Sequence, residues 1–494
     1  MARAPSAVVA LKRESFVHNL KVGGPEAQSG RRPDSGPLHR DSVVWLVAVS
    51  ILFLAAELTP PLLRMPLGTD EITYIARTSI HVSGVSLPPV HGQGAGLLAA
   101  PVTLLTQSLT AIRVWMSVLS AIGLFLAMLC WRGLRPAWVL GLAGLIFASL
   151  AISQNSGVQI YPDWWGALAV LALTGLLLHA VNGTMRDRVT LPSIALASLL
   201  IVLMRPQNIV FLMGPAILAV IFVRSWRKPK VMVAMGAGIV AGLLEWIIGA
   251  YLWFGGLANR IHLAGQEPPS FRPYMSLGTQ LKVLNGPWYC TPPGGCNGWD
   301  SPGESVWWVA FLAVAVLGLW LAWRTSATTS AKTSAMLAGA TALWVIALYS
   351  FLVPFGAPRY LTPSLALMSI LAADGLVWLV TKARWHRTGI VIACVFLLSG
   401  IVSQRVILQR DAAQQLATRP YLAKARVLRL AGIRAPCVLA SPPVAYYVGC
   451  MAPWTGERIP ELLARTPQGR NGWRKLVLTH PRTVIYVPVK PASQ

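Results

Sequence analysis

The stretch VMVAMGAGIVAGLLEWIIGAYLWF, residues 231–254, decides the class of this protein. It runs for 24 residues with Glu245 as its only charged side chain, enough to cross a bilayer as a helix. A buried helix of a soluble protein would show a polar stripe, and this one shows none. SVVWLVAVSILFLAA (42–56) reads the same way. The chain as a whole is 55% hydrophobic and 12% charged, with a mean hydropathy of +0.57. These values exclude a soluble enzyme and predict an all-α polytopic membrane protein.

Working outward from 231–254, about eleven spans are expected, at 43–58, 112–131, 136–153, 163–181, 191–204, 208–223, 231–254, 305–323, 335–353, 363–381 and 388–402. The net charge of +25 (42 Lys+Arg against 17 Asp+Glu) would suggest nucleic acid in a soluble chain. Here much of it lies in short loops between apolar runs: Arg132 and Arg135; Arg186 and Arg188; Arg224, Arg227, Lys228 and Lys230; Arg324 and Lys332; Lys382, Arg384 and Arg387. Short basic loops stay on the cytoplasmic side. The longer, charge-poor connections at 59–111, 154–162, 205–207, 255–304 and 354–362 therefore face outside. No zinc spacing, nucleic-acid motif or phosphate-binding glycine loop is present.

Three segments follow. Residues 1–41, rich in Pro, Gly, Ser and Arg, read as a disordered cytoplasmic tail; the twin arginine in GRRPDSG (30–36) is a weak signal there. Residues 42–402 form the transmembrane domain. Residues 403–494, outside by the span count, read as a small α/β domain: DAAQQLATRPYLAKARVLRLAG (411–432) as an amphipathic helix, PCVLAS (436–441) and TVIYVPV (483–489) as strands. Four of the six cysteines fall on the side assigned as outside, where disulfides persist, which predicts the pairs Cys290–Cys296 and Cys437–Cys450. Cys130 and Cys394 fall within spans as free thiols.

The first outer loop carries GTDEITYIAR (68–77), two adjacent acids in a chain that has few. DEITYIARTSIHVSG (70–84) reads as an interfacial helix with Asp70, Tyr74, Arg77 and His81 on one face and Ile72, Ile75 and Ile80 off it. LLAAPVTLLTQSL (97–109) reads as a second one. Adjacent helical side chains diverge by about 100°. One acid therefore faces the site, and the other orients it or shares a cation. A solvated acidic helix start is the plain alternative.

The Asp-Glu pair, with a tyrosine behind it, resembles the first outer loop of the GT-C superfamily of integral-membrane glycosyltransferases, in the branch of the protein O-mannosyltransferases and lipid A aminoarabinose transferases. Three further stretches are similar: YPDWWGALAVLAL (161–173) with Asp163, LMRPQNIVFL (203–212) with Arg205, and GAPRYLTPSLALMSILAADGL (356–376) with Arg359 and Tyr360. The resemblance covers roughly 42–402. It departs at SLPPVHGQGAG (86–96), which keeps the prolines of a Lys-Pro-Pro stretch and offers His91 but no lysine.

The resemblance implies sugar transfer from a polyprenyl-phosphate donor to a cell-envelope glycan, glycolipid or exported protein. Such chemistry asks for a base and for positive charge on the leaving phosphate. Asp70 is expected as the base and Glu71 as its supporting acid. Arg205, Arg359 and Tyr360 are expected at the donor phosphate. Asp163, Tyr74, Arg77, Trp288 and Tyr289 are expected to hold the acceptor or support the site. Asp70, Asp163, His81 and His91 are the candidate ligands of a divalent cation, Mg or Mn. Glu245 and Asp374, within spans, are placed outside the site. A transporter or flippase would show two related halves, and none is visible. A polyprenyl-diphosphate-dependent glycan ligase and a scaffold that binds wall polymer remain the other readings.

Overall fold

The computed structural model describes residues 38–75, 78–79, 88–266, 273–286, 289–290, 302–325, 329–381, 386–433, 435–452, 463, 471, 473–479 and 482–488. Asp41–Gln494 forms one compact unit, and everything below concerns it.

Among the described residues, eight helices are long and apolar enough to cross a membrane: Leu109–Leu129, Pro162–Asn182, Asp187–Met204, Pro229–Trp253, and those within 305–324, 332–352, 358–381 and 386–430. The chain is a multi-pass membrane protein. Ala137–Ser149 and Ala151–Gly157 meet at a 76° bend and supply a ninth span if counted together. The bend falls at Leu150, whose backbone is extended. The amide it frees, Ala151 N–H, donates to Gln404 Oε1 of the His386–Thr418 helix at 2.9 Å. A break in apolar surroundings is tolerated when a neighbour satisfies the backbone in this way.

With the bent pair counted as one, the eleven expected spans exceed these nine by two, 43–58 and 208–223, which are shorter or broken. The expected span 208–223 is two pieces, Asn208–Phe211 and Gly214–Phe222. Pro215 sits in the first turn of the second piece, where its missing N–H costs nothing, and so starts a new helix. Neither piece alone crosses a ~30 Å hydrocarbon layer. Together they run the length of Pro162–Asn182: Arg205, before the first piece, pairs with Asp163 at one end of that helix, and Lys228, after the second, donates to the carbonyls of Ala180 and Val181 at the other. The first expected span is the Leu38–Glu57 helix, of which Val43–Glu57 is the shorter apolar part.

Two spans form the centre of the bundle. The apolar window of Pro162–Asn182 is 78% buried and that of 358–381 is 67% buried, against 22% for Pro229–Trp253. The Thr362–Thr381 helix crosses Pro302–Thr325 at near backbone contact: a Cβ on Gly318 would collide with the carbonyl of Leu371, and one on Gly375 with that of Val314. Small residues let membrane helices approach this closely. The two central spans begin at Asp163 and Arg359, so the most rigid helices carry two of the expected site residues at their ends.

The C-terminal part contains the expected strands and one more. β1 (Val438–Leu439), β2 (Trp473–Thr479) and β3 (Arg482–Pro488) form an antiparallel sheet in the order β1-β3-β2, with Val438 opposite Tyr486 and Val477 opposite Val484. β2 was not anticipated: WRKLVLT alternates only partly. The single helix expected over 411–432 is corrected to the end of His386–Thr418 followed by Tyr421–Leu430. Pro420 separates them, since proline lacks the N–H and disfavours helix at the residue before it. The His386–Thr418 helix runs unbroken across residue 402. Cys437 and Cys450 form a disulfide. Cys290 is also disulfide-bonded; its expected partner, Cys296, lies outside the described residues.

Candidate active site

After Leu38–Glu57 and a single helical turn, Pro60–Leu63, the chain enters a short helix, Thr69–Ile75. Asp70 and Glu71 occupy its first turn, where carboxylates complement the helix dipole. Glu71 also reaches back three residues and accepts the Gly68 N–H at 2.8 Å, one half of a capping box. From this shared start the two acids diverge.

Glu71 points into the protein and is fully buried. It forms a two-pronged ion pair with Arg113, one arm of it Nη2 to Oε2 at 3.0 Å, and accepts the Ile160 N–H at 3.0 Å. Arg113, equally buried, also donates to the carbonyls of Met65, Pro66 and Val158. One ion pair thus ties three stretches of backbone together, and neither group faces solvent.

Asp70 points the other way, and its side chain is 41% exposed. Arg359 Nη2 donates to Asp70 Oδ2 at 2.9 Å. Arg359 Nε lies 3.5 Å from Asp163 Oδ2, and Asp163 is paired with Arg205 at 3.1 Å. The four side chains therefore form a chain of alternating charge, Asp70–Arg359–Asp163–Arg205, drawn from the first loop, two central spans and the end of Asp187–Met204. Burial by itself would raise the Asp70 carboxyl. The guanidinium of Arg359 first, with further positive charge around it, holds it below its ordinary value.

Aromatic rings shape this cluster. The guanidinium of Arg359 lies over Tyr161, 4.4 Å from the ring centroid, and that of Arg205 lies 5.4 Å from the ring of Tyr360. Tyr349 stacks on Tyr360 at 4.8 Å. Burial first raises the Tyr161 hydroxyl to about 12 and drives Tyr74 higher still, so neither supplies negative charge near neutral pH. Both arginines are buried, yet among the described residues the Nε of neither makes a hydrogen bond. Tyr289, half exposed, packs on Phe355 at 4.9 Å at the edge of the cluster.

His91 packs against the Tyr74 ring at 4.9 Å. Burial first, and then Arg205, push its imidazole down to about 3, so it is neutral under ordinary conditions. Its position is set by Arg260, which donates to the carbonyls of Pro89 and His91 at 3.0 and 2.9 Å. As for a cation, among the described residues no three His, Cys, Asp or Glu side chains come together. Asp70 and Asp163 turn toward guanidinium groups, and His91 is surrounded by arginines. The described residues suit an anion better than a divalent metal.

Asp70, Asp163, Arg205, Arg359, Tyr360, Tyr74, His91 and Tyr289 thus gather at one end of the bundle. Arg77, His81 and Trp288 lie outside the described residues. Asp374 pairs with Arg135 at 3.0 Å, apart from the cluster, and Glu245 accepts the Gln93 N–H at 3.4 Å. The sequence reading passed over Arg113, Tyr161 and Tyr349. Arg113 carried a signal: a lone arginine in the apolar run 109–129 must find a partner, and the nearest unexplained acid was Glu71.

No protein-family model matches this chain, and neither does any curated protein sequence. Solved structures do match. The crystal structure of ArnT, a lipid A aminoarabinose transferase, from Cupriavidus metallidurans bound to undecaprenyl phosphate is 14% identical over 91% of this chain and 98% of its own, with a TM-score of 0.62. The same protein in its apo state gives 0.57 at 14% identity, over 83% of this chain and 85% of that one. An apo oligosaccharyltransferase of Archaeoglobus fulgidus gives 0.45 at 14% identity, over 76% of this chain and 56% of that one. The likeness to ArnT is one of fold: the chain has the GT-C fold.

Proposed function

We propose that this protein is a membrane glycosyltransferase. In this reading it moves a sugar from a polyprenyl-phosphate donor to a hydroxyl of an envelope glycan, glycolipid or exported protein, at the outer face of the plasma membrane. Residues 42–402 are the catalytic domain, 1–41 the cytoplasmic tail and 403–494 the extracytoplasmic part. The observation that carries the reading is the partly exposed Asp70 carboxylate, set beside two buried arginines whose Nε atoms make no hydrogen bond among the described residues. The fold shared with ArnT, whose structure holds undecaprenyl phosphate, supports it.

Asp70 takes the proton from the acceptor hydroxyl as its oxygen attacks C1 of the sugar. The C1–O bond to phosphate breaks, the configuration at C1 inverts, and polyprenyl phosphate leaves with the bonding electrons. Arg359 and Arg205 stabilise the charge that develops on it, a role suited to bidentate guanidinium groups. A phosphate at Arg359 competes with Asp70 for the same guanidinium. Donor binding therefore frees the carboxylate and makes it a stronger base at the moment it is needed. Glu71 acts through the backbone, fixing the helix that aims Asp70.

The test is transfer by purified protein in lipid, with a panel of radiolabelled polyprenyl-phosphate sugars. Transfer from one donor, lost in Asp70→Asn, is the expected result. Failure with every donor by protein shown to be folded would overturn the reading.

A further inference from the structure

Beyond its last span the chain returns to the site. Between Thr418, where the long helix stops, and Pro420 stands Arg419. Its Nη1 donates to Gln415 Oε1 at 2.8 Å, one turn back. Gln415 in turn accepts from Gln159 at 3.4 Å, so the arginine is held by neutral amides. Its guanidinium stands over Gly68, two residues before Asp70: a Cβ there would lie 3.1 Å from Arg419 Nη1 and 3.3 Å from the Tyr161 hydroxyl. Tyr161 carries Arg359 on its ring face. The two arginines therefore flank one tyrosine, and the charge of Arg419 reaches Asp70.

Counting charge shows what Arg419 adds. Asp70 and Asp163 are matched by Arg359 and Arg205. Glu71 and Arg113 form a closed pair, and His91 is neutral. Among the described residues no carboxylate pairs with Arg419, whose guanidinium is held by the neutral Gln415, so its charge stands unmatched beside the site. A polyprenyl-phosphate sugar is a phosphodiester with one negative charge. The released phosphate monoester acquires a second, so an unmatched cation favours the transition state over the donor.

We propose that Arg419 binds the phosphate of the lipid-linked donor, so that the segment after the last span completes the site. This rests on the transferase reading. A reader of the sequence would miss it, because Arg419 is one of many arginines in a basic segment and only the turn at Pro420 brings it back to Gly68.

The experiment titrates purified wild type, Arg419→Gln, Arg419→Lys and Arg426→Gln with sugar-free polyprenyl phosphate, following tryptophan fluorescence, and measures KM for transfer alongside. Arg426 is exposed on the next helix and controls for net charge. Arg419→Gln is expected to weaken lipid-phosphate binding and raise KM by about tenfold or more, the loss of one charge-assisted contact. Arg419→Lys should recover part of this, and Arg426→Gln should match wild type. Wild-type affinity in Arg419→Gln would overturn the proposal and leave the transferase reading standing. Lipid-phosphate binding that depends on Arg419, without sugar transfer, would support the proposal and sink that reading. No binding by wild type would overturn both.

Discussion

Asp70 and Glu71 are neighbours in sequence and opposites in structure. Glu71 is closed off: fully buried, matched to one arginine, and surrounded by backbone donors that use its lone pairs. Asp70 is partly exposed and shares Arg359 with a second carboxylate. The difference follows from a single helical step, which sends one side chain inward and the next outward. A satisfied pair makes a frame. An arrangement with an exposed carboxylate and, among the described residues, guanidinium Nε atoms that make no hydrogen bond offers a substrate something to bind.

The largest effect is expected at the closed pair. Glu71→Gln strands the Arg113 charge in the interior and should destabilise the protein by about 3–5 kcal/mol. The check is the yield of folded protein and its thermal unfolding in detergent. Replacing both, with Glu71→Gln and Arg113→Met together, should cost less than the single change, since no unmatched charge remains. A double change as costly as the sum of its parts would break the comparison.

Next comes Arg359→Gln, which should cost less stability than Glu71→Gln, since Asp163 keeps Arg205 and Asp70 is partly exposed, while reducing transfer by about 10²-fold or more, as expected for loss of an electrostatic stabiliser of the leaving group. The same variant sharpens the account through pH. In the proposed reaction Asp70 is the ionised base, and its lowered carboxyl stays ionised until the pH falls below the ordinary aspartate value of about 3.9. Activity should therefore persist into acid, and any stability from the Asp70–Arg359 pair is lost only as pH falls through that lowered value. Removing Arg359 should move the acid limb of kcat/KM to higher pH. An unmoved limb would mean that Arg359 does not govern Asp70. The smallest effect belongs to a third ion pair, Lys230–Asp187, whose side chains are 75% and 64% exposed. Asp187→Asn should change stability by less than about 1 kcal/mol, measured by the same unfolding assay.

Much of this was legible in the sequence for plain reasons. A run such as 231–254 has a bilayer-spanning helix as its natural state. Asp163 and Arg359 stood out as charges at the ends of apolar runs, and the Cys437–Cys450 pair followed from the side of the membrane. What was not legible depended on tertiary partners. The break at 212–213 left no stronger mark than one Gly-Pro pair in an apolar stretch. The inward turn of Glu71 depends on Arg113, 42 residues away, and both acids looked equivalent until that partner was placed. The chain of alternating charge is assembled from four separate segments, which no local pattern encodes.

The measurement that tests the central claim most directly is transfer turnover per folded molecule for Asp70→Asn, with thermal unfolding recorded on the same sample. A general base contributes about 10²–10⁴-fold. The account predicts a loss of that size with unfolding close to wild type. Turnover near wild type in a folded Asp70→Asn protein would contradict it, and the exposed acid of this site would then be no base at all.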